Sequence, residues 1–194
     1  MLKLIAGYAR GIVLETPENR TMRPTSGKGR EALFSSIGPL ENLSFADIFA
    51  GSGAVGLEAA SRGAAKVLFV EENAAHCRMI GRNAAKVRRA GADFAEEILC
   101  RGFSPALLRG LPPADIWFFD PPYAESARWF AVLAENPVLP CFLPGSRLIW
   151  ELPDTREAMR GFAENPLLET GVIRELGGVK FLFLQGGKKA EPEP

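Results

Sequence analysis

The run Asp47-Ile48-Phe49-Ala50-Gly51-Ser52-Gly53-Ala54-Val55-Gly56 limits the possible folds of this chain more than any other segment. A short apolar strand pattern, Ser44–Phe49, enters a G-x-G-x-x-G turn, and a helical pattern leaves the turn and ends near Gly63. Val67–Glu71 then reads as a second strand, which places Glu71 20 residues after Gly51. Two strands joined through a helix in this way pair in parallel, because the crossover must pass over one face of the sheet. The glycines suit a tight turn and close approach of backbone to a ligand, and the acid suits ribose hydroxyls. The turn therefore points to a nucleoside-type cofactor, and a nicotinamide dinucleotide is one reading. Asp47 favours another. A carboxylate at that strand end would oppose a pyrophosphate but suit a cationic α-amino group. S-adenosylmethionine carries such an amine, a carboxylate for the N–H groups of the turn, an adenosine for Glu71, and no phosphate. The plainer alternatives are that Asp47 caps the helix and that Glu71 is an ordinary strand-end acid.

The rest of the chain continues the alternation. Leu2–Ala6 and Ile12–Glu15 read as a small paired strand, and Ser26 can cap a helix to Ile37 that Gly38-Pro39 closes. A helix is expected over 73–89, a strand over Phe94–Leu99, a short helix over Phe103–Arg109 and an apolar strand over Asp115–Phe119. Helices at Ser126–Ala134 and Asp154–Phe162 flank a strand at Ser146–Glu151, and segments 167–175 and 178–184 form an antiparallel pair through Gly177-Gly178. The sum is an α/β fold with a mostly parallel sheet covered on both faces.

The strand Ile116-Trp117-Phe118-Phe119 runs into Asp120-Pro121-Pro122-Tyr123. Ligands of open α/β sheets bind outside the carboxyl ends of strands, so this tetrapeptide stands where chemistry is expected. Asp120 is an acceptor, the prolines stiffen the backbone and leave carbonyls such as that of Pro121, and Tyr123 offers a stacking face. That combination suits a planar exocyclic amine, a poor nucleophile that needs its N–H groups gripped. A base within a helix would have to turn out to reach it.

Charge is balanced, with 23 Lys plus Arg against 23 Asp plus Glu, but it is unevenly spread. Residues 1–30 carry six bases (Lys3, Arg10, Arg20, Arg23, Lys28, Arg30) against Glu15 and Glu18, and residues 73–92 carry five bases and no acid. Within the second stretch, Arg78, Arg82, Lys86 and Arg89 share one helical face opposite Cys77, Ile80, Ala84 and Val87. Like charges at this spacing repel, and a phosphate backbone would relieve them; a solvated face is the plainer reading. Cys77, Cys100 and Cys141 include no C-x-x-C, and one histidine, His76, builds no His-rich metal site, so a disulfide scaffold and a zinc ribbon are excluded. No apolar run reaches the roughly 20 residues of a membrane span, and the start has no signal-peptide pattern, so a cytoplasmic location is expected.

Met22-Arg23-Pro24-Thr25 with Arg30-Glu31-Ala32-Leu33-Phe34, the Asp47–Gly53 turn, Leu57-Glu58-Ala59, Ser61-Arg62-Gly63-Ala64 and Asp120-Pro121-Pro122-Tyr123 stand in a specific order. In that order the chain resembles the RsmD-type guanine-N2 methyltransferases of small-subunit (16S) ribosomal RNA, over about Leu4 to Leu184. The resemblance implies a Rossmann-like class I fold with a mostly parallel seven-stranded sheet, an antiparallel last strand and a small N-terminal β extension. It implies an RNA-docking extension at 1–25, a methyltransferase domain at 26–186 and a disordered tail at 187–194. S-adenosylmethionine would be lined by Asp47, Phe49, Gly51, Ser52, Gly53 and Glu71, and the guanine held by Asp120, Pro121 and Tyr123. Lys3, Arg10, Arg23, Arg30, Arg78 and Arg82 would dock the RNA, within an assembled or assembling 30S particle, and the enzyme would be a monomer. The family pattern has an acid near the adenine; this chain has Cys100-Arg101-Gly102 there, so no side-chain role carries over. Three alternatives stay open: an acceptor amine on DNA or protein, a nicotinamide-dependent oxidoreductase, and a non-catalytic RNA-binding module.

Overall fold

The computed structural model describes residues 1–17, 27–135, 145–155, 159–162, 165 and 170–185. Arg23, the Met22–Thr25 motif, the Ser26 cap, Cys141 and the 187–194 tail lie outside the described residues, as does part of the helix expected over Asp154–Phe162.

Seven strands form the main sheet: β3 (Ser44–Ile48), β4 (Lys66–Glu71), β5 (Ala95–Cys100), β6 (Ile116–Phe119), β7 (Arg147–Leu152), β8 (Val172–Leu176) and β9 (Val179–Gln185). Their spatial order is β5-β4-β3-β6-β7-β9-β8. The first five pair in parallel, and β9 runs antiparallel to both β7 and β8. The expected seven-stranded architecture is therefore present, with the last two strands forming the Gly177-Gly178 hairpin.

Alternation along the strands sorts the core into two layers. Phe45, Val67, Phe69, Ile116 and Phe118 face α1 (Gly27–Ile37), α2 (Ala54–Ser61) and α3 (Ala74–Arg89). Ile48, Val70, Trp117, Phe119 and Trp150 face α4 (Pro105–Gly110) and α5 (Tyr123–Ala134). All four residues of β6 are buried, as a central strand covered on both faces must be. The helix expected at Ser126 begins three residues earlier, at Tyr123, because Pro122 stands at its N-cap and the prolines lack the N–H groups a helix start leaves unused. Helix α1 forms despite Gly27 and Gly29, since Leu33, Phe34 and Ile37 bury into the core.

The N-terminal segment is part of this core rather than a separate body. Strands β1 (Leu2–Lys3) and β2 (Val13–Leu14) pair as expected, and Leu4, Ala9 and Leu14 bury with α2 and α3. Buried side chains satisfy its backbone. Glu58 accepts from the Ile5 and Ala6 N–H groups at 2.8 and 3.0 Å, and Ser61 accepts from Ala9 N–H at 2.9 Å while donating to Ala6 O at 2.6 Å. Asn83, wholly buried in α3, accepts from Glu15 N–H at 2.8 Å and donates to Glu15 O at 3.0 Å and Ser52 O at 3.2 Å. One amide thus ties the extension to the glycine turn.

Replacing Asn83 with Ala leaves three backbone groups without this partner, two at half-buried Glu15 and one at buried Ser52. Stability should fall by about 2–4 kcal/mol in urea unfolding; a loss below about 0.5 kcal/mol would show that the amide is not what clamps the extension.

Candidate active site

The sheet grows outward from β3 to β4 and β5, then returns to the other side of β3 with β6. That reversal opens a crevice beyond the carboxyl ends of β3 and β6, where neither crossover helix covers the tips. Ile48 pairs with Phe119, and Asp120 N–H donates to Ile48 O at 3.3 Å, so the two sequence motifs stand side by side. They line one cavity of about 820 Å³, within the size range of small-molecule sites.

On the β3 side, the chain leaves the strand through Phe49, whose φ of 66° is a left-handed conformation that a bulky side chain rarely adopts. Gly53 adopts φ 75° as the N-cap of α2. Gly56 lets that helix lie against β4: a Cβ there would sit 2.4 Å from Phe69 Cε1. Glu71 is fixed by the turn it serves. Its Oε2 accepts from Gly51 N–H at 2.8 Å, its Oε1 from Asn73 N–H at 2.9 Å, and His76 Nδ1 lies 3.4 Å from Oε1.

Asp47 is 2% exposed, and its Oδ2 accepts from Gly56 N–H, the third amide of α2, at 2.8 Å. The helix-capping reading of Asp47 is thus realised on one oxygen. Burial pushes its carboxyl up to about 8; the Gly56 N–H opposes this and the charge of Glu71 adds to it. A cation placed beside Asp47 would restore the charge.

On the β6 side, Tyr123 is half-buried and its Oη donates to Glu151 Oε1 at 3.5 Å, a long contact. Burial first, then the charges of Glu151, Asp120 and Asp154, push the phenol up to about 12, so it stays protonated. Helix α5 is anchored behind it by Trp150 Nε1, which donates to Ser126 Oγ at 3.0 Å. Three rings that sequence reasoning did not assemble complete the wall: Phe49 and Phe103 at 4.9 Å, Phe103 and Trp129 at 5.2 Å, Phe49 and Trp129 at 6.2 Å between centroids. Phe103 and Trp129 carry no motif; only the fold brings them together.

The cavity collects Asp47, Phe49, Gly51, Ser52, Glu71, Asp120, Pro121 and Tyr123, with Gly53 just behind as the cap of α2. Arg101 and Glu72 also line it, at the place where the family pattern has its adenine acid. His76, which sequence reasoning set aside, lines it as well.

The basic residues divide. Lys3, Arg10 and Arg78 are exposed. Arg30 corrects the expectation of an RNA-docking surface residue: it is 2% exposed and lines the cavity. Several α3 bases, expected to need a phosphate against their mutual repulsion, find acids within the chain instead. Arg82 Nε and Lys86 Nζ donate to the two carboxylate oxygens of Glu15 at 2.8 and 2.9 Å, and Arg88 pairs with Glu96. An acid from the extension thus relieves part of the repulsion, with no phosphate required for those two residues.

A parallel sheet with this reversal, an antiparallel final hairpin and a nucleoside-type turn facing an acidic strand end defines the class I methyltransferase fold. Precorrin-6Y C5,15-methyltransferase from Geobacter metallireducens shares the fold, with a TM-score of 0.63 at 16% identity over 88% of this chain and 92% of that one. The chain belongs to the family described as conserved hypothetical protein 95, whose model matches residues 2–164, and the RsmD-type resemblance is borne out. Ribosomal RNA small subunit methyltransferase D of Escherichia coli (strain K12) is 35% identical over 123 residues, which are 63% of this chain and 60% of that protein. The alignment thus spans less than two thirds of that relative. The solved structure of yhhF from Escherichia coli superposes with a TM-score of 0.71 at 25% identity, over 96% of this chain and 99% of that one.

The raised Asp47 carboxyl sets a pH dependence. The unfolded group loses its proton near 3.8 and the folded group near 8, so its stability cost is absent below about pH 4 and complete above about pH 8. Asp47→Asn keeps an acceptor for Gly56 N–H and cannot ionise. Wild-type unfolding midpoints should therefore fall relative to those of Asp47→Asn between pH 5 and 8.5. A difference that does not change with pH would contradict the buried, protonated carboxyl.

Proposed function

We propose that this chain is an S-adenosylmethionine-dependent methyltransferase acting on the exocyclic N2 amine of a guanine in small-subunit ribosomal RNA. The observation that carries the reading is the shared cavity: Asp47 and Glu71 on one strand tip pair, Asp120 and Tyr123 on the adjacent tip. The donor set fits this cofactor. Asp47 offers a buried site for an ammonium, Glu71 is held by backbone N–H groups with lone pairs left for hydroxyls, and a pyrophosphate would meet both acids. When bound, the cofactor supplies a methyl group already activated on a sulfonium.

The protein's work is then placement and charge. Asp120 and the Pro121 carbonyl accept from the two N–H groups of the amine and aim its nitrogen into the cavity. Tyr123 stacks on the purine, and its phenol, protonated and turned to Glu151, takes no part in proton transfer. As the nitrogen becomes cationic, Asp120 stabilises it and receives the proton. The aromatic wall of Phe49, Phe103 and Trp129 excludes water from the reacting centre. Lys3, Arg10 and Arg78, all exposed, are the bases left to meet phosphates, and with no net charge the protein relies on the shape of its RNA, assembled in a 30S particle, for affinity. A monomer in the cytoplasm suits this reading. The named relative supports ribosomal RNA as the acceptor.

Asp120→Ala should lower methyl transfer to 30S particles by at least about 100-fold while S-adenosylhomocysteine still binds. Unaltered turnover would remove Asp120 from the chemistry. Label mapped to DNA or to protein after parallel incubations would overturn the ribosomal acceptor. For docking, Arg10→Glu with Arg78→Glu should weaken RNA binding and flatten its salt dependence by roughly one to two units of slope. An unchanged slope would return α3 to a solvated face.

A further inference from the structure

Arg30 is the one buried cation among the described residues that line the cavity, and its hydrogen bonding is incomplete. Its Nη2 donates to Lys3 O at 3.0 Å, but Nε and Nη1 find no acceptor among the described residues. Glu58 is the acid whose charge it feels, yet the Glu58 oxygens already accept from Ile5 N–H, Ala6 N–H and Arg62 Nε. A guanidinium buried with two idle N–H groups is costly to maintain, so the site is incomplete without an acceptor. The N-terminus of α2 opens on the same cavity. Gly53 caps it without a side chain, Asp47 accepts from the Gly56 N–H, and Ala54 and Val55 line the space. Arg30 lines that cavity with Ala54 and Val55, and Glu58, whose charge it feels, lies one turn beyond Val55, which sets Arg30 near the end where α2 begins. Asp47 stands at that end too.

We propose that Arg30, with the Ala54 and Val55 N–H groups, forms an oxyanion site that holds the carboxylate of the cofactor's amino-acid end. The proposal rests on the cofactor reading above. A planar fork and a helix N-terminus converge on an oxyanion, as carboxylate recognition requires. With Asp47 beside them, the end of the cavity presents one acid and one base, matched to the zwitterion of an α-amino acid. Arg30 is a binding residue of the cavity and not of the RNA surface. A phosphate of an extruded nucleotide has similar chemistry, and the experiment separates the two sources.

Titration calorimetry compares S-adenosylhomocysteine with 5′-methylthioadenosine, which lacks the amino-acid end. Arg30→Gln should weaken the first by roughly 10- to 100-fold and leave the second unchanged, with Arg30→Lys recovering part of the loss. Equal affinity of wild type and Arg30→Gln for S-adenosylhomocysteine overturns the proposal. If that variant instead loses affinity for RNA alone, the oxyanion is a phosphate, and the cofactor role is again overturned. Should Arg30→Gln fail to fold, an S-adenosylhomocysteine analogue lacking only the carboxylate decides on wild-type protein: roughly 10-fold weaker binding supports the site, and equal binding rejects it. If wild-type protein binds no S-adenosylhomocysteine, the cofactor reading itself falls, an outcome distinct from any Arg30 effect.

Discussion

Pairing of β3 with β6 places Ile48 beside Phe119 and stops both strands at one level, at the place where the sheet reverses its direction of growth. Helix α2 leaves β3 toward β4, and α5 leaves β6 on the opposite face, so the space between the two tips stays open. Every chemical feature depends on that opening. Phe49 leaves the strand in a left-handed conformation, and the turn curls back until Gly51 N–H reaches Glu71 on the neighbouring strand. On the other tip, two prolines carry the chain from Asp120 directly into α5. Two short peptides thus face each other across one sheet spacing, with a buried carboxyl on one and a half-buried carboxylate on the other.

The N-terminal extension completes the cavity from above. It has too little paired backbone to hold itself, and the core supplies what it lacks: Glu58 and Ser61 from α2, and Asn83 from α3. Glu15 then pairs with Arg82 and Lys86 on the exposed side of the same helix. Such exposed pairs contribute little each, whereas the buried amide and carboxylate fix position. The extension therefore carries its basic residues on a surface whose placement is set by α3 and by α2, the helix that leaves the glycine turn.

The sheet, its order of elements and both strand-tip motifs were legible in the sequence because glycine spacing, apolar runs and prolines act locally. The α3 periodicity was legible for the same reason, and Cys77, Ile80, Ala84 and Val87 are all buried. What could not be read is non-local. Nothing near Arg82 in sequence announces Glu15, 67 residues away. Arg30 reads as one base among six, and only the docking of β1 over α1 and α2 turns it inward. Glu58 gives a hint, as an acid inside a helix whose eight residues are all buried, but its backbone partners at Ile5 and Ala6 belong to the tertiary fold. Phe103 and Trp129 are invisible as a wall until α4 and α5 lie on the same face.

The central claim is that one crevice seats donor and acceptor on adjacent strand tips. A crystal structure of the full chain with S-adenosylhomocysteine tests it most directly. The account predicts ribose hydroxyls at Glu71, the amine at Asp47 and the sulfur turned toward Asp120. Density elsewhere on the protein, or a ligand whose sulfur points away from Asp120, would contradict it.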